Sequence, residues 1–203
     1  MRTAIIAIVM FVVGSLGAAE IEWSTNKTSF VGQDGQNSVS LDGTLVEAVS
    51  LGRKEAGAKE AVKVENGGKT EEITFEQRDN VLPSSGFPTA FDLKTSDANW
   101  TAVISSADWC GHPNPTTIKL TDLKPGKRYQ VEFFVYDQRD ANIARRTATF
   151  DDGEGNQSET IRQDAGVSII GTFLANDSKQ TVNLTQGNAA HPTLNAYILR
   201  LLR

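Results

Sequence analysis

Between residues 123 and 140 the chain reads LKPGKRYQVEFFVYDQRD, and its apolar and polar positions alternate after a Pro125-Gly126 turn. Successive side chains of a strand point to opposite faces, so Tyr129, Val131, Phe133 and Val135 form one row and Gln130, Glu132, Phe134 and Tyr136 the other. The first row is core. The second mixes an amide, a carboxylate and two aromatic rings, a composition that suits a ligand platform as well as a surface covered by another part of the fold.

The same alternation recurs along the chain. Residues 44–51 place Leu45, Glu47, Val49 and Leu51 against Val46, Ala48 and Ser50, and 73–76 return to strand character. Residues 116–120, 129–137, 145–150, 167–174, 180–184 and 194–202 read as six further strands, separated by Gly, Asn, Asp or Pro clusters. The last of these is expected to lie near the first strand. The charged, glycine-rich stretch from Gly52 to Glu72 reads as a surface connection with room for one helical turn at 58–62, ending in the Gly67-Gly68 turn. Residues 80–115 hold four of the six prolines and read as mostly loop, interrupted by a strand at 100–105. With no long amphipathic helix, the pattern predicts an all-β fold, a two-sheet antiparallel β-sandwich.

The chain begins Met1-Arg2-Thr3, runs largely apolar from Ala4 to Leu16 and ends this stretch in Gly17-Ala18-Ala19. An apolar run shorter than the roughly 20 residues of a spanning helix, with a positive start and small residues at its end, is a secretory leader. Cleavage after Ala19 is expected, which divides the chain into a signal peptide, 1–19, and a single β-sandwich domain, 20–203. The product is secreted, extracellular or periplasmic or at the cell surface, with no membrane span left. Its formal net charge of −5 becomes one unit more negative when Arg2 is lost, and no basic run is interleaved with aromatics. That excludes a nucleic-acid partner. A single cysteine, Cys110, excludes an internal disulfide framework.

Two resemblances add to this reading. Leu123, Pro125, Gly126 and Tyr129 stand at the L-x-P-G-x-x-Y spacing that resembles fibronectin type III modules, which implies a tyrosine corner in which Tyr129 bonds a carbonyl just upstream. Four blocks, NSVSLDGTLVEAVSLG, TIKLTDLKPGKRYQVEFFVYDQRD, GVSIIGTFLANDSKQTVNL and LNAYILRLL, resemble in order and spacing an exported domain family of environmental bacteria, read as galactose-binding-like (carbohydrate-binding-module-like) jelly rolls. The resemblance implies a jelly roll and a place at the cell surface or in carbohydrate processing.

Chemistry is sparse. No H-E-x-x-H, G-x-S-x-G, phosphate-cradling glycine loop or cysteine pair occurs, so no nucleophile and base can be named and no enzyme is expected. Sugar recognition pairs aromatic rings with a few fixed polar groups. Trp109 and His112 in the long loop, and Tyr136, Arg139 and Asp140 at the end of the central strand, are the candidate carbohydrate-binding residues. Trp100 reads as core or rim, and Cys110 with His112 offers too few ligands for a closed metal site. Asp151, Asp152, Glu154 and Asn156 surround two glycines in FDDGEGN. They form either a polar hairpin turn or a site for one structural Ca²⁺, an ion that modules of the resembling class frequently carry. The expected function is a non-catalytic secreted module that binds polysaccharide or cell-envelope carbohydrate. The alternative is a structural or adhesive surface protein that contacts protein and has no sugar site. Rings of Trp109 and Tyr136 exposed in one concavity favour the first, and rings buried in the core favour the second.

Overall fold

The computed structural model describes residues 18–52, 57–78, 81–82, 84–88, 93, 95–109, 115–138, 146–187 and 192–203. Among them are fourteen strands and one α-helix: β1 Ile21–Asn26, β2 Thr44–Ser50, β3 Lys59–Asn66, β4 Lys69–Gln77, β5 Ser84–Pro88, α1 Ala98–Ile104, β6 Ser106–Trp109, β7 Thr116–Leu120, β8 Arg128–Phe134, β9 Thr147–Asp151, β10 Ile161–Arg162, β11 Ser168–Leu174, β12 Gln180–Gln186, β13 Thr193–Leu194 and β14 Ala196–Leu201. A seven-stranded sheet runs β1-β11-β8-β14-β2-β4-β3, facing a four-stranded sheet β10-β9-β12-β7, with a small sheet β13-β6-β5 beside them. The protein is an all-β sandwich. Pairing is antiparallel except between β2 and β4, which run parallel over Val49↔Glu76 and Ser50↔Gln77. The C-terminal strand β14 sits between β8 and β2, beside the first strand read from the sequence (44–51), while β1 pairs with β11 at the sheet's edge.

The inward row of β8 behaves as its pattern predicts. Tyr129, Val131 and Phe133, with Val135 just beyond, enter a core shared with Ile118, Phe150, Val182 and Leu184 of the four-stranded sheet. Phe133 stacks on Phe150 with ring centroids 4.6 Å apart. Before the strand, Gly126 takes φ +76°, the left-handed geometry that the third position of a Pro-Gly turn requires. The tyrosine corner forms with its polarity reversed: the Tyr129 hydroxyl accepts the Lys124 N–H at 2.9 Å instead of donating to a carbonyl.

A second core lies on the other face of the same sheet. There Phe134 and Tyr136 meet Phe30, Trp100, Val103, Ile104, Val62, Val64, Ile73 and Phe75. Two expectations change here. Of residues 100–105, expected as a strand, 100–104 belong to α1 and Ser105 caps its C-terminus, with the Asp97 side chain accepting the Trp100 N–H at 2.8 Å as an N-cap. Trp100, Val103 and Ile104 then fall on one buried helical face at i, i+3 and i+4. The expected surface connection around 58–66 is β3, in which Val62 and Val64 alternate inward between outward Lys63 and Glu65. It pairs with β4 across Gly67 and Gly68, at φ +58° and +74°, the pair of positive values that a tight two-residue hairpin demands.

Candidate functional site

Beyond half-buried Gln130, the outer row of β8 is interior. Phe134 has no exposed surface, and Glu132 and Tyr136 are 2% and 5% exposed. Phe134 meets Phe30 and Trp100 edge to face at 5.3 and 5.4 Å, and the Trp100 indole N–H donates to the Phe30 carbonyl at 2.8 Å. Glu132 survives among these rings because donors surround it: Ser168 Oγ at 2.5 Å, the Ser40 N–H at 2.9 Å and Asn26 Nδ2 at 3.4 Å. Burial pushes its carboxyl above the usual range, while those donors and the Arg200 charge pull it back. Arg200 lies one step along the same face, opposite Gln130. It is 1% exposed and donates through Nη1 to Glu71 Oε2 at 2.9 Å, and its Nε and Nη2 have no hydrogen-bond partner among the described residues.

Where this polar floor reaches the rim, the segment after Ser38 and the β3–β4 hairpin enclose a polar hollow. A cavity of 180 Å³ is lined by Asn26, Ser38, Ser40, Asp42, Asn66 and Lys69 among others. It shares Leu41, Asp42 and Lys69 with a larger one of 600 Å³, which reaches Glu71 and Arg203. The walls are tied together. Asn26 Nδ2 donates to the Ser38 carbonyl at 2.7 Å and Asn66 Nδ2 to the Val39 carbonyl at 2.8 Å. Lys69 Nζ donates to the Leu41 carbonyl at 3.2 Å and pairs with Asp42 at 2.9 Å. Hydroxyl, amide, carboxylate and ammonium groups thus stand around one concavity, several on strand ends that hold them in place. None of these residues is a sequence candidate. Their signal is spread over β1, the segment before β2 and a hairpin, and becomes visible only once the sheet is assembled.

The predicted carbohydrate residues meet different fates. Trp109 ends β6, partly exposed and opposite Thr193 of β13. The Tyr136 N–H donates to Asn195 Oδ1 at 2.6 Å, so the segments carrying Trp109 and Tyr136 are both fastened to residues 193–195 at one end of the sandwich. The Tyr136 ring is set edge to face against Phe30 at 6.2 Å in the second core, its hydroxyl is bonded to Gln138, and burial beside Asp164 and Asp137 raises its pKa. His112, Arg139 and Asp140 lie outside the described residues.

The acidic turn is a clasp for β1. Asp152 is fully buried. Its Oδ1 accepts the Glu154 and Asn156 N–H groups at 2.9 and 3.3 Å, and its Oδ2 accepts the Ile21 N–H at 3.0 Å. Asp151 Oδ1 accepts from Gly153 N–H and Asn183 Nδ2, both at 2.9 Å, and its Oδ2 from the Thr185 hydroxyl at 3.3 Å. Asn156 Nδ2 donates to the Ile21 carbonyl, and the Asn156 carbonyl accepts the Trp23 indole N–H at 3.2 Å. The four carboxylate oxygens of Asp151 and Asp152 all face N–H or O–H donors, and among the described residues no group of three or more His, Cys, Asp or Glu is placed to hold a metal. As folded, the Asp151 and Asp152 carboxylates are engaged by the chain's own donors, as in the polar-turn reading.

No protein-family model matches the chain, and no curated protein matches it. Among solved structures it is similar to the ANX1 ectodomain from Arabidopsis thaliana, at 13% identity and a TM-score of 0.51, over 76% of this chain and 41% of that one. It is likewise similar to the plant receptor-like kinase ANX2, at 11% identity and a TM-score of 0.53, over 76% and 41%. The chain spans about two fifths of those solved chains. The likeness is one of fold, and it bears on the jelly-roll expectation while leaving the bacterial family without a sequence match. No helix among the described residues is long and apolar enough to cross a membrane.

Proposed function

We propose that this protein is an extracellular, non-catalytic module that binds glycan in the polar hollow between the segment after Ser38 and the β3–β4 hairpin. The observation that carries the reading is the set Asn26, Ser40, Asp42, Asn66 and Lys69 around one concavity of sugar-ring scale. Hydroxyl-rich ligands are recognised by such groups, and the Lys69 ammonium favours sugars that carry a carboxylate or sulfate. The extracellular setting is supported by the leader-like composition of residues 1–19 and by a fold similar to that of solved chains that include an ectodomain. A glycan array with and without calcium, repeated with Lys69→Ala and Trp109→Ala, tests it. Binding to acidic polysaccharide that Lys69→Ala weakens at least tenfold and Trp109→Ala spares supports the hollow. Binding that only Trp109→Ala removes moves the site to the β6 end of the sandwich.

The burial of Tyr136 favours a second reading, a structural or adhesive surface protein that contacts protein. A folded protein that binds nothing on the array supports that reading and overturns the first.

A further inference from the structure

The residue expected to end the discarded leader is part of the folded core. Ala19 is 6% exposed and packs in the same apolar cluster as Ile21, Leu120, Val182 and Phe173. Its N–H donates to Gln180 Oε1 at 2.8 Å and its carbonyl accepts from Gln180 Nε2 at 3.1 Å. Gln180 opens β12 and is 1% exposed, so one buried carboxamide holds both backbone groups of Ala19. Without Ala19, Oε1 loses the one donor that it is seen to accept from, and a buried acceptor is left unmet.

Leader processing reads small residues one and three places before the cut. Gly17-Ala18-Ala19 meets that requirement, and so does Ser15-Leu16-Gly17 one step earlier, whereas a cut after Ala18 puts Leu16 at the third place. We propose that the leader is removed between Gly17 and Ala18 by an export-linked signal peptidase. Water hydrolyses that peptide bond, the carboxylate stays on Gly17 of the leader, and the new ammonium forms on Ala18. Ala19 then keeps an ordinary amide N–H for Gln180. The Ala18 ammonium opens on a 370 Å³ hollow lined by Glu20, Glu22 and Arg128 among others, in which Glu22 pairs with Arg128 at 2.9 Å and solvent receives the new charge. A cut after Ala18 instead places the ammonium at the buried Gln180 contact, and a cut after Ala19 deletes the contact.

Amino-terminal sequencing and intact mass of the exported protein test this directly. A mature chain that starts at Ala18 supports the proposal, and a chain that starts at Glu20, or at any other residue, overturns it. The structural reason has its own readout: forms released from a cleavable tag to begin at Ala18 or at Glu20 are melted side by side. The Ala18 form is expected to melt roughly 3–8 °C higher, and Gln180→Ala to erase most of that gap. Equal melting of the two forms contradicts the role given to Ala19.

Discussion

The two faces of β8 are both buried from Val131 to Phe134 and are built by opposite routes. Phe133 faces a second sheet across the sandwich, in a core that alternation alone specifies. Phe134, the next residue, faces Phe30 and α1, in a core assembled from a loop, a two-turn helix and the β3–β4 hairpin. The first face contains only apolar side chains from β8. The second admits Glu132, and with it the network of Asn26, Ser40 and Ser168. A sheet face that is covered by irregular structure can hold a satisfied charge, because loops deliver backbone N–H groups where a facing sheet delivers side chains. The polar hollow begins where that cover ends.

The comparison breaks most visibly at the two phenylalanines. Phe133→Ala and Phe134→Ala are each expected to cost about 3–5 kcal/mol by urea unfolding, the cost of emptying a buried ring site. A Phe134→Ala cost of under about 1 kcal/mol would mark the outer row as surface. Next comes the buried cation. Glu71→Ala leaves Arg200 without its carboxylate and is expected to destabilise by about 1–3 kcal/mol, less than for a fully buried pair because Glu71 is one-third exposed. Arg200→Met, which removes the charge and keeps the packing, is expected to cost less than Glu71→Ala.

Glu132 is read as a slope. Its folded carboxyl is raised by burial, so the folded protein holds a proton at pH values where the unfolded chain, near the ordinary glutamate value of about 4.3, has released it. The stability this group contributes is complete below that value and is lost as pH rises through the folded one. Relative to Glu132→Gln, the parent protein is therefore expected to lose melting temperature as pH rises above about 4.3 toward the raised folded value, and to level off beyond it. A constant difference would place the carboxylate in water. The smallest effect belongs to the first face: Tyr129→Phe removes the corner bond to the Lys124 N–H and is expected to cost about 1 kcal/mol.

Much of the sandwich was legible because its strands alternate. β7 runs over Thr116–Leu120 as read, and β8, β9, β11, β12 and β14 lie within the segments read as strands or overlap them closely. What failed were elements whose local signal is short or overlaid by charge. Asp97 followed by Trp100, Val103 and Ile104 is a capped helical face, hidden in a loop-like, proline-rich stretch. Val62 and Val64 carry β3 through a run of lysine and glutamate that suits the edge of a sheet. The parity of Tyr136 was readable, and what covers its face was not, since Phe30 lies more than a hundred residues away in sequence. The hollow at Asn26, Ser40 and Lys69 left no local pattern, for the same reason.

The central claim is that Glu132, Phe134 and Tyr136 line an interior and leave ligand contact to the rim. Hydroxyl-radical footprinting of the folded protein, with tandem mass spectrometry that assigns oxidation to single residues, reads this most directly, with Phe133 as the internal standard for a buried ring. The account predicts that Phe134 and Tyr136 are protected as Phe133 is, and that Trp109 is modified faster than all three. Oxidation of Phe134 and Tyr136 at the rate of Trp109 would contradict it.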